Sequence, residues 1–298
     1  MKSELLVPVS SDLIQARLDR RKFFRQAGLF GLGAAATGLI ADSAEAQRRD
    51  SSDVTNQEKD TVTEILTAAL IAEDLATTFY YNALVGPVIQ DPNLAGKGGS
   101  ATNVTANGNF GNVNYVQAAL SEEISHANLL RSLLGLSGPS ADPVQMFYFP
   151  AGTFDTLTAF TGLLDALENA FIGAYLNAVQ EFANKAGNIA VIKQYYPKDP
   201  DSKYTATQLE YFAKVAASIM GIECEHRVLG RVISNSNPAN NLNYEQTDGL
   251  TAVYNGPTSA VAALTPFLTP STGPGFSLAS ALANQSSVSI PVMGAPPR

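Results

Sequence analysis

The 298-residue chain has a single cysteine, Cys224, and two histidines, His126 and His226. One thiol cannot close a disulfide within the chain, ligate an iron–sulfur cluster or build a Cys-rich zinc site. Basic residues are also scarce: 19 Lys and Arg stand against 27 Asp and Glu, for a net charge of -8 and a pI near 4.8. That leaves no basic surface to neutralise phosphates, so nucleic acid is excluded as a partner. The apolar run at 29–41 is too short to span a bilayer. What remains is 45% hydrophobic residues, enough for a real core in one large domain or two modest ones. Any metal chemistry must draw on the two imidazoles plus carboxylates.

Residues 18–46 read as an export signal. Arg20-Arg21-Lys22-Phe23-Phe24-Arg25 precedes the apolar run, and Ala44-Glu45-Ala46 follows it as a small-x-small cleavage site. The arrangement resembles a twin-arginine signal, although Asp19 and Phe24 depart from its commonest form. A general secretory signal, or a basic N-terminal helix that stays attached, is the alternative. The expectation is therefore that 1–46 is removed and that the mature chain begins at Gln47. It would reside in the periplasm or outside the cell, with no integral membrane segment. The twin-arginine route carries folded proteins, so metal could be loaded in the cytoplasm.

Four segments with helical spacing come after the signal, at about 57–85, 113–135, 154–186 and 205–234, each bounded by Gly, Pro or Asn clusters. Thr153 or Asp155 is a candidate cap for the third, and Ser202 or Thr205 for the fourth. The stretch 86–112 is Gly-, Asn- and Pro-rich and long for a bundle connection. The stretch 135–152 carries Pro139, Pro143 and Pro150 around Met146-Phe147-Tyr148-Phe149, which suits a segment crossing the bundle while packing on it. The division is then a bundle over 47–235 and an extension over 236–298. The extension is Pro-, Ser- and Asn-rich, with one short helix expected at 259–267. Composition leaves open whether it wraps the bundle or hangs free.

An internal repeat indicates the architecture. Glu73 is followed by Tyr80, Asn82 and Ala83, and Glu168 by Tyr175, Asn177 and Ala178, at identical offsets. Glu123, His126, Leu129 and Arg131 likewise match Glu223, His226, Leu229 and Arg231. The expected fold class is all-α: a four-helix bundle of two repeated helix pairs, each supplying one Glu on its first helix and Glu-x-x-His on its second. Three residues advance a helix by about 300°, so the Glu and His of each motif share a face one turn apart. Glu73, Glu123, Glu168, Glu223, His126 and His226 make a ligand set for two metal ions. Four carboxylates and two neutral imidazoles balance two divalent ions. Glu fills 13 of 298 positions, so finding it three residues before both histidines is about a 1 in 500 accident. The competing reading is a set of buried ion pairs without metal.

These motifs resemble the ferritin-like di-metal carboxylate proteins over about 57–235. The run from Glu123-Ile124-Ser125-His126 through Pro150 to Leu167-Glu168-Asn169 and Gly173-Ala174-Tyr175-Leu176 is similar to the exported ferritin-like family that includes desiccation-related proteins. The resemblance implies two iron or two manganese ions, between which carboxylate and imidazole ligands do not choose. It does not specify the reaction, since the superfamily includes ferroxidases, rubrerythrin-type peroxidases, manganese catalases and oxygenases. With no Cys-x-x-Cys pair the rubredoxin module of full rubrerythrins is absent, so an electron donor would be external.

Around the ligands, Tyr80 and Tyr175 are expected to point at the same core, as packing residues or as groups that hydrogen-bond the cluster and take part in its chemistry. Asp165 is an extra ligand, an outer acceptor or a solvated carboxylate. Arg131 and Arg231 are expected to pair with carboxylates across the bundle, and Glu122 to orient an imidazole. Glu225 should be solvated and Cys224 a small core residue. Two function classes stay open. One is an oxidoreductase acting on hydrogen peroxide or dioxygen in oxidative or desiccation stress; the other is a non-catalytic stress or structural protein whose metal stabilises the bundle while its loops bind a partner. A homo-oligomer is compatible with either. A hollow storage cage suits the sequence less, because the insert and the extension would crowd its shell contacts.

Overall fold

The computed structural model describes residues 60–236 and 263–290. The expected signal at 1–46 and the start of the mature chain at Gln47 lie outside the described residues, as does 237–262.

Four long helices carry the fold: α1 (Val62–Val85), α2 (Phe110–Leu134), α3 (Leu157–Tyr195) and α4 (Ala206–Ile233). Each starts at a polar cap that satisfies backbone N–H groups the helix leaves unpaired, at about 1 kcal/mol per cap. Thr61 and Glu64 form a reciprocal capping box at α1, and Thr205 and Gln208 form another at α4. Asn109 caps α2, so that helix begins three residues before the expected 113. Thr156 caps α3, not Thr153 or Asp155, and Ser202 plays no part at α4. The first helix starts at Val62, not near 57, because Thr61 is its extended cap. Gly135, at φ 71°, closes α2 with Leu136 N–H donating back to Arg131 O at 2.9 Å.

The largest departure from the sequence reading is α3, which runs through Gly187 to Tyr195 and does not stop near 186. A helical glycine costs only about 1 kcal/mol against alanine. Here it is offset by Ile189, which is buried, and by Lys185, whose Nζ donates to Asp201 Oδ2 at 2.7 Å. Asp201 also accepts from Val62 N at 2.9 Å, which ties the turn after α3 to the first residue of α1.

Helices α1 and α2 pack as one pair and α3 and α4 as the other. Leu130, near the end of α2, shares a core cluster with Val62, Leu66 and Leu70 from the start of α1. Leu164, near the start of α3, lies against Gly230, near the end of α4, where a Cβ would sit 2.8 Å from Leu164 Cδ2. Both pairs are therefore antiparallel. Phe182 and Ile189 from late α3 fall in the same cluster as Leu130, so α2 ends where α3 also ends. The connection at 135–156 must then travel the bundle's length, about 37 Å for a helix the length of α2. It does so by laying Phe147, Phe149 and Phe154 into the opposite core.

That core also holds the described part of the extension, which wraps the bundle. Strand β1 (Met146–Tyr148) of the crossing segment pairs antiparallel with β2 (Gly275–Ser277), setting Phe147 opposite Phe276. Gly273 abuts the crossing backbone so closely that a Cβ would overlap Phe149 O. The short α5 (Leu278–Asn284) buries Leu278 and Ala281 against α1. Gln117 Nε2 on α2 then donates to Val288 O at 2.8 Å. Of the helix expected at 259–267, residues 259–262 lie outside the described residues. Thr265–Leu268 forms a 3-10 turn, with Phe267 buried 5.8 Å from the Phe149 ring. Within the insert, Thr105 N and Asn109 N donate to Ala95 O and Leu94 O, folding it back on itself. No helix among the described residues is long and apolar enough to cross a membrane.

Candidate metal centre

The two apolar cores divide at one level of the bundle, with Leu70, Ala127, Tyr175 and Ile219 on one side and Leu75, Leu120, Leu164 and Ile233 on the other. Between them all four helices turn a carboxylate inward. Glu123, Glu168 and Glu223 are 0% exposed and Glu73 is 2% exposed.

The six side chains form two overlapping groups, each with its ligand atoms within 4.8 Å of one another. One is Glu73, Glu123, His126 and Glu223; the other is Glu123, Glu168, Glu223 and His226. Glu123 and Glu223 belong to both. Glu123 directs Oε2 towards His126 Nδ1 at 3.7 Å and Oε1 towards His226 Nδ1 at 3.0 Å. Glu223 does the same in reverse, with Oε1 3.7 Å from His126 Nδ1 and Oε2 3.4 Å from His226 Nδ1. The glutamates of the two Glu-x-x-His motifs thus each offer one oxygen to each half. Glu73 and Glu168 serve one half apiece.

This arrangement asks for cations. Both oxygens of Glu123, both of Glu223, Glu168 Oε2 and His226 Nδ1 are buried without a hydrogen-bond partner among the described residues. Four carboxylates face only two imidazoles, so buried negative charge is in excess and lacks hydrogen bonds, which is costly, and inward-facing oxygens beside imidazole nitrogens are the donor set of a divalent transition metal. The residues fit a pair of ions.

Without metal, protons do part of that work. Burial, reinforced by Glu73 for Glu123, by Glu223 for Glu168 and by Glu123 for Glu223, pushes these three carboxyls above the ordinary glutamate range. Burial opposes charge on the imidazoles, but surrounding carboxylates outweigh it. Glu73 and Glu123 lift His126 to about 11, and Glu123, Glu122 and Glu223 lift His226 well above its ordinary value. Metal entering this site must displace protons, so its affinity rises with pH.

The tyrosines cross between halves. Tyr80 of α1 donates its O–H to Glu168 Oε1 at 2.8 Å, and Tyr175 of α3 donates to Glu73 Oε1. Burial and neighbouring carboxylates raise both phenols well above their ordinary value, so they stay protonated as donors. Glu122 Oε2 lies 2.8 Å from His226 Nε2, the nitrogen facing away from the cluster. Asp165 is in neither ligand group; it accepts from Arg231 Nε at 2.8 Å. Arg131 donates to Asp74 and Asp142, and Glu225 is exposed while Cys224 is partly buried.

Asp74 and Asp142 were not singled out from the sequence. Asp74 had a signal, an acidic pair Glu73-Asp74 inside an apolar run, whereas Asp142 sits among prolines with no periodicity to mark it.

Residues 61–193 match the ferritin-like domain family, a span that takes in α1, α2 and nearly all of α3. It stops before α4, so Glu223 and His226 join the site through the internal repeat and the geometry above. No curated protein and no solved structure matches the chain. The two antiparallel helix pairs and the buried Glu and His cluster able to hold metal are consistent with the family match, which is to a ferritin-like domain over residues 61–193.

Proposed function

We propose that this is an exported ferritin-like protein that holds two iron or manganese ions and acts on hydrogen peroxide or dioxygen in defence against oxidative or desiccation stress. The observation that carries the metal reading is the sharing of Glu123 and Glu223 between the two ligand groups, with all four of their oxygens lacking a hydrogen-bond partner among the described residues. Glu123 and Glu223 would bridge the ions, while Glu73 with His126 and Glu168 with His226 would complete one half each. When bound, such a pair supplies Lewis acidity and redox steps shared between two centres.

The chain's own part is positioning and exclusion of water. Tyr80 and Tyr175 hold the two terminal carboxylates by their O–H groups, leaving one oxygen of each directed inward. The ring of Tyr80 also packs edge-on to His226 at 5.7 Å, limiting its rotation. Reduction of peroxide to two waters consumes two electrons and two protons, which requires an external donor because the chain has no thiol pair. Disproportionation of two peroxides to dioxygen and two waters requires none.

Stopped-flow absorbance of the reduced, metal-loaded protein mixed with peroxide tests the redox reading. The cluster spectrum should change within seconds, and oxygen evolution without added reductant would identify disproportionation. Tyr80→Phe with Tyr175→Phe should slow the reaction about 10-fold, as expected for losing roughly 1.4 kcal/mol of orientation, while two ions stay bound. A spectrum unchanged for minutes under excess peroxide and oxygen would defeat it in favour of the non-catalytic alternative.

Export is tested separately. Arg20→Lys with Arg21→Lys should strand the full chain in the cytoplasm, and unchanged export would assign it to the general secretory route.

A further inference from the structure

Helices α2 and α4 repeat their functional positions at an offset of 100 residues. Glu123 corresponds to Glu223, His126 to His226 and Arg131 to Arg231. Among the positions that differ, one adjoins the shared glutamate: it is Glu122 on α2 and Ile222 on α4.

That difference falls on the histidines. Glu122 Oε2 receives His226 Nε2 at 2.8 Å. In the neutral ring that a metal requires, a proton kept on Nε2 by Glu122 leaves Nδ1 as the bare donor, and Nδ1 is the nitrogen that faces Glu123 and Glu223 at 3.0 and 3.4 Å. Outer carboxylates of this kind fix the ring's tautomer and orientation and raise its basicity towards a metal. An isoleucine at the matching place can do neither for His126. Among the described residues, the hydrogen bond seen for His126 runs from Nδ1 to Glu73, on the cluster side. Its side chain is 13% exposed against 3% for His226, so of the six ligands it is the one most open to solvent.

We infer that the two halves of the centre are unequal: the ion held by His226 and Glu168 is retained, the ion held by His126 and Glu73 exchanges, and Glu122 is the positioning residue that sets the difference. The inference rests on the di-metal reading. It makes the His126 side the route by which ions enter and leave the centre, since a ligand that is both loosely held and exposed can release its ion first.

Metal release tests it without reference to activity. The purified full chain would be loaded with cobalt(II), challenged with excess EDTA and followed by loss of cobalt absorbance, with elemental analysis after gel filtration at each plateau. One equivalent should leave at least about 10-fold faster than the other. Glu122→Gln keeps the shape at a half-exposed position and removes the charge. It should speed the slow phase by roughly 10- to 100-fold, the usual loss for an outer partner of a ligand, and leave the fast phase unchanged. Ile222→Glu should slow the fast phase by supplying His126 with the missing carboxylate. Melting of the metal-free variants would confirm that both are folded.

Two equivalents leaving together from the unaltered chain, or Glu122→Gln accelerating the fast phase, would overturn the asymmetry while leaving the di-metal centre standing. A folded chain that takes up no cobalt would overturn both.

Discussion

Replacing Glu123 and Glu223 together by Gln is expected to lower metal content from about two ions per chain to none, and at the same time to make the metal-free protein more stable. Both effects have one origin. Each glutamate offers an oxygen to each half, so the double replacement takes two charged donors from both ions at once. Glu73→Gln, which touches one half, should leave one ion in place. In the metal-free state the same two carboxyls are 0% exposed and lack hydrogen-bond partners among the described residues. Neutral amides of equal size relieve the repulsion among four clustered carboxylates, although they remain buried polar groups and give up the ion pairs to His126 and His226. The net gain should therefore be about 1 kcal/mol, or roughly 2–4 °C in a domain this large. The gain grows with pH. The folded-state values of Glu123 and Glu223 are raised, so the stability linked to their protonation is complete below the ordinary glutamate range and is lost as pH rises through the raised values. Elemental analysis and denaturant melts at two pH values read both arms. A double variant that keeps both ions would remove the bridging assignment.

The convergence of the six side chains was legible in the sequence because helix geometry is local. A Glu and a His three residues apart on a helix must share a face, and the repeat then brings two such faces together. Which carboxylates reach both halves was misread, since the helical pattern alone had suggested Glu73 and Glu168 as the ones able to move into a bridging position. That depends on the separation between helix pairs, and the side chains that belong to both ligand groups are Glu123 and Glu223, not Glu73 and Glu168 on the first helices. The far end of α3 was misjudged for a related reason. Gly187 reads as a stop, but the contacts that carry the helix past it come from Asp201 after the turn and from the core around Ile189. The extension was the least legible part. Its strand at Gly275–Ser277 exists by pairing with Met146–Tyr148, over a hundred residues away, and a three-residue strand has no periodicity to read.

Arg131→Met is expected to cost the metal-loaded protein about 3–5 kcal/mol, the usual penalty for stranding buried partners of an ion pair. Arg131 is 3% exposed and donates from Nη2 to Asp74 Oδ1 at 2.5 Å and from Nε to Asp142 Oδ2 at 2.8 Å. It joins α2 to α1 and both to the crossing segment. Burial raises both aspartates even with the arginine present, Asp74 well above its ordinary value, while Arg131 holds each of them down. Without it their values climb further. A carboxyl raised in the folded state contributes stability that is complete below its unfolded value and lost as pH rises through the folded one. The gap between variant and parent should therefore be widest at neutral pH and above, and narrow as the pH falls towards 4. Asp142→Asn in the Arg131→Met background should recover part of the loss by removing one of the two stranded charges. The corresponding arginine of the second half gives the contrast. Arg231 pairs with Asp165, whose side chain is 19% exposed and keeps access to water, so Arg231→Met should cost markedly less. Equal losses for the two arginines, or an Arg131→Met deficit that does not change between pH 4 and pH 8, would mean that packing of the arginine stem, not the buried charge it neutralises, is what this position contributes.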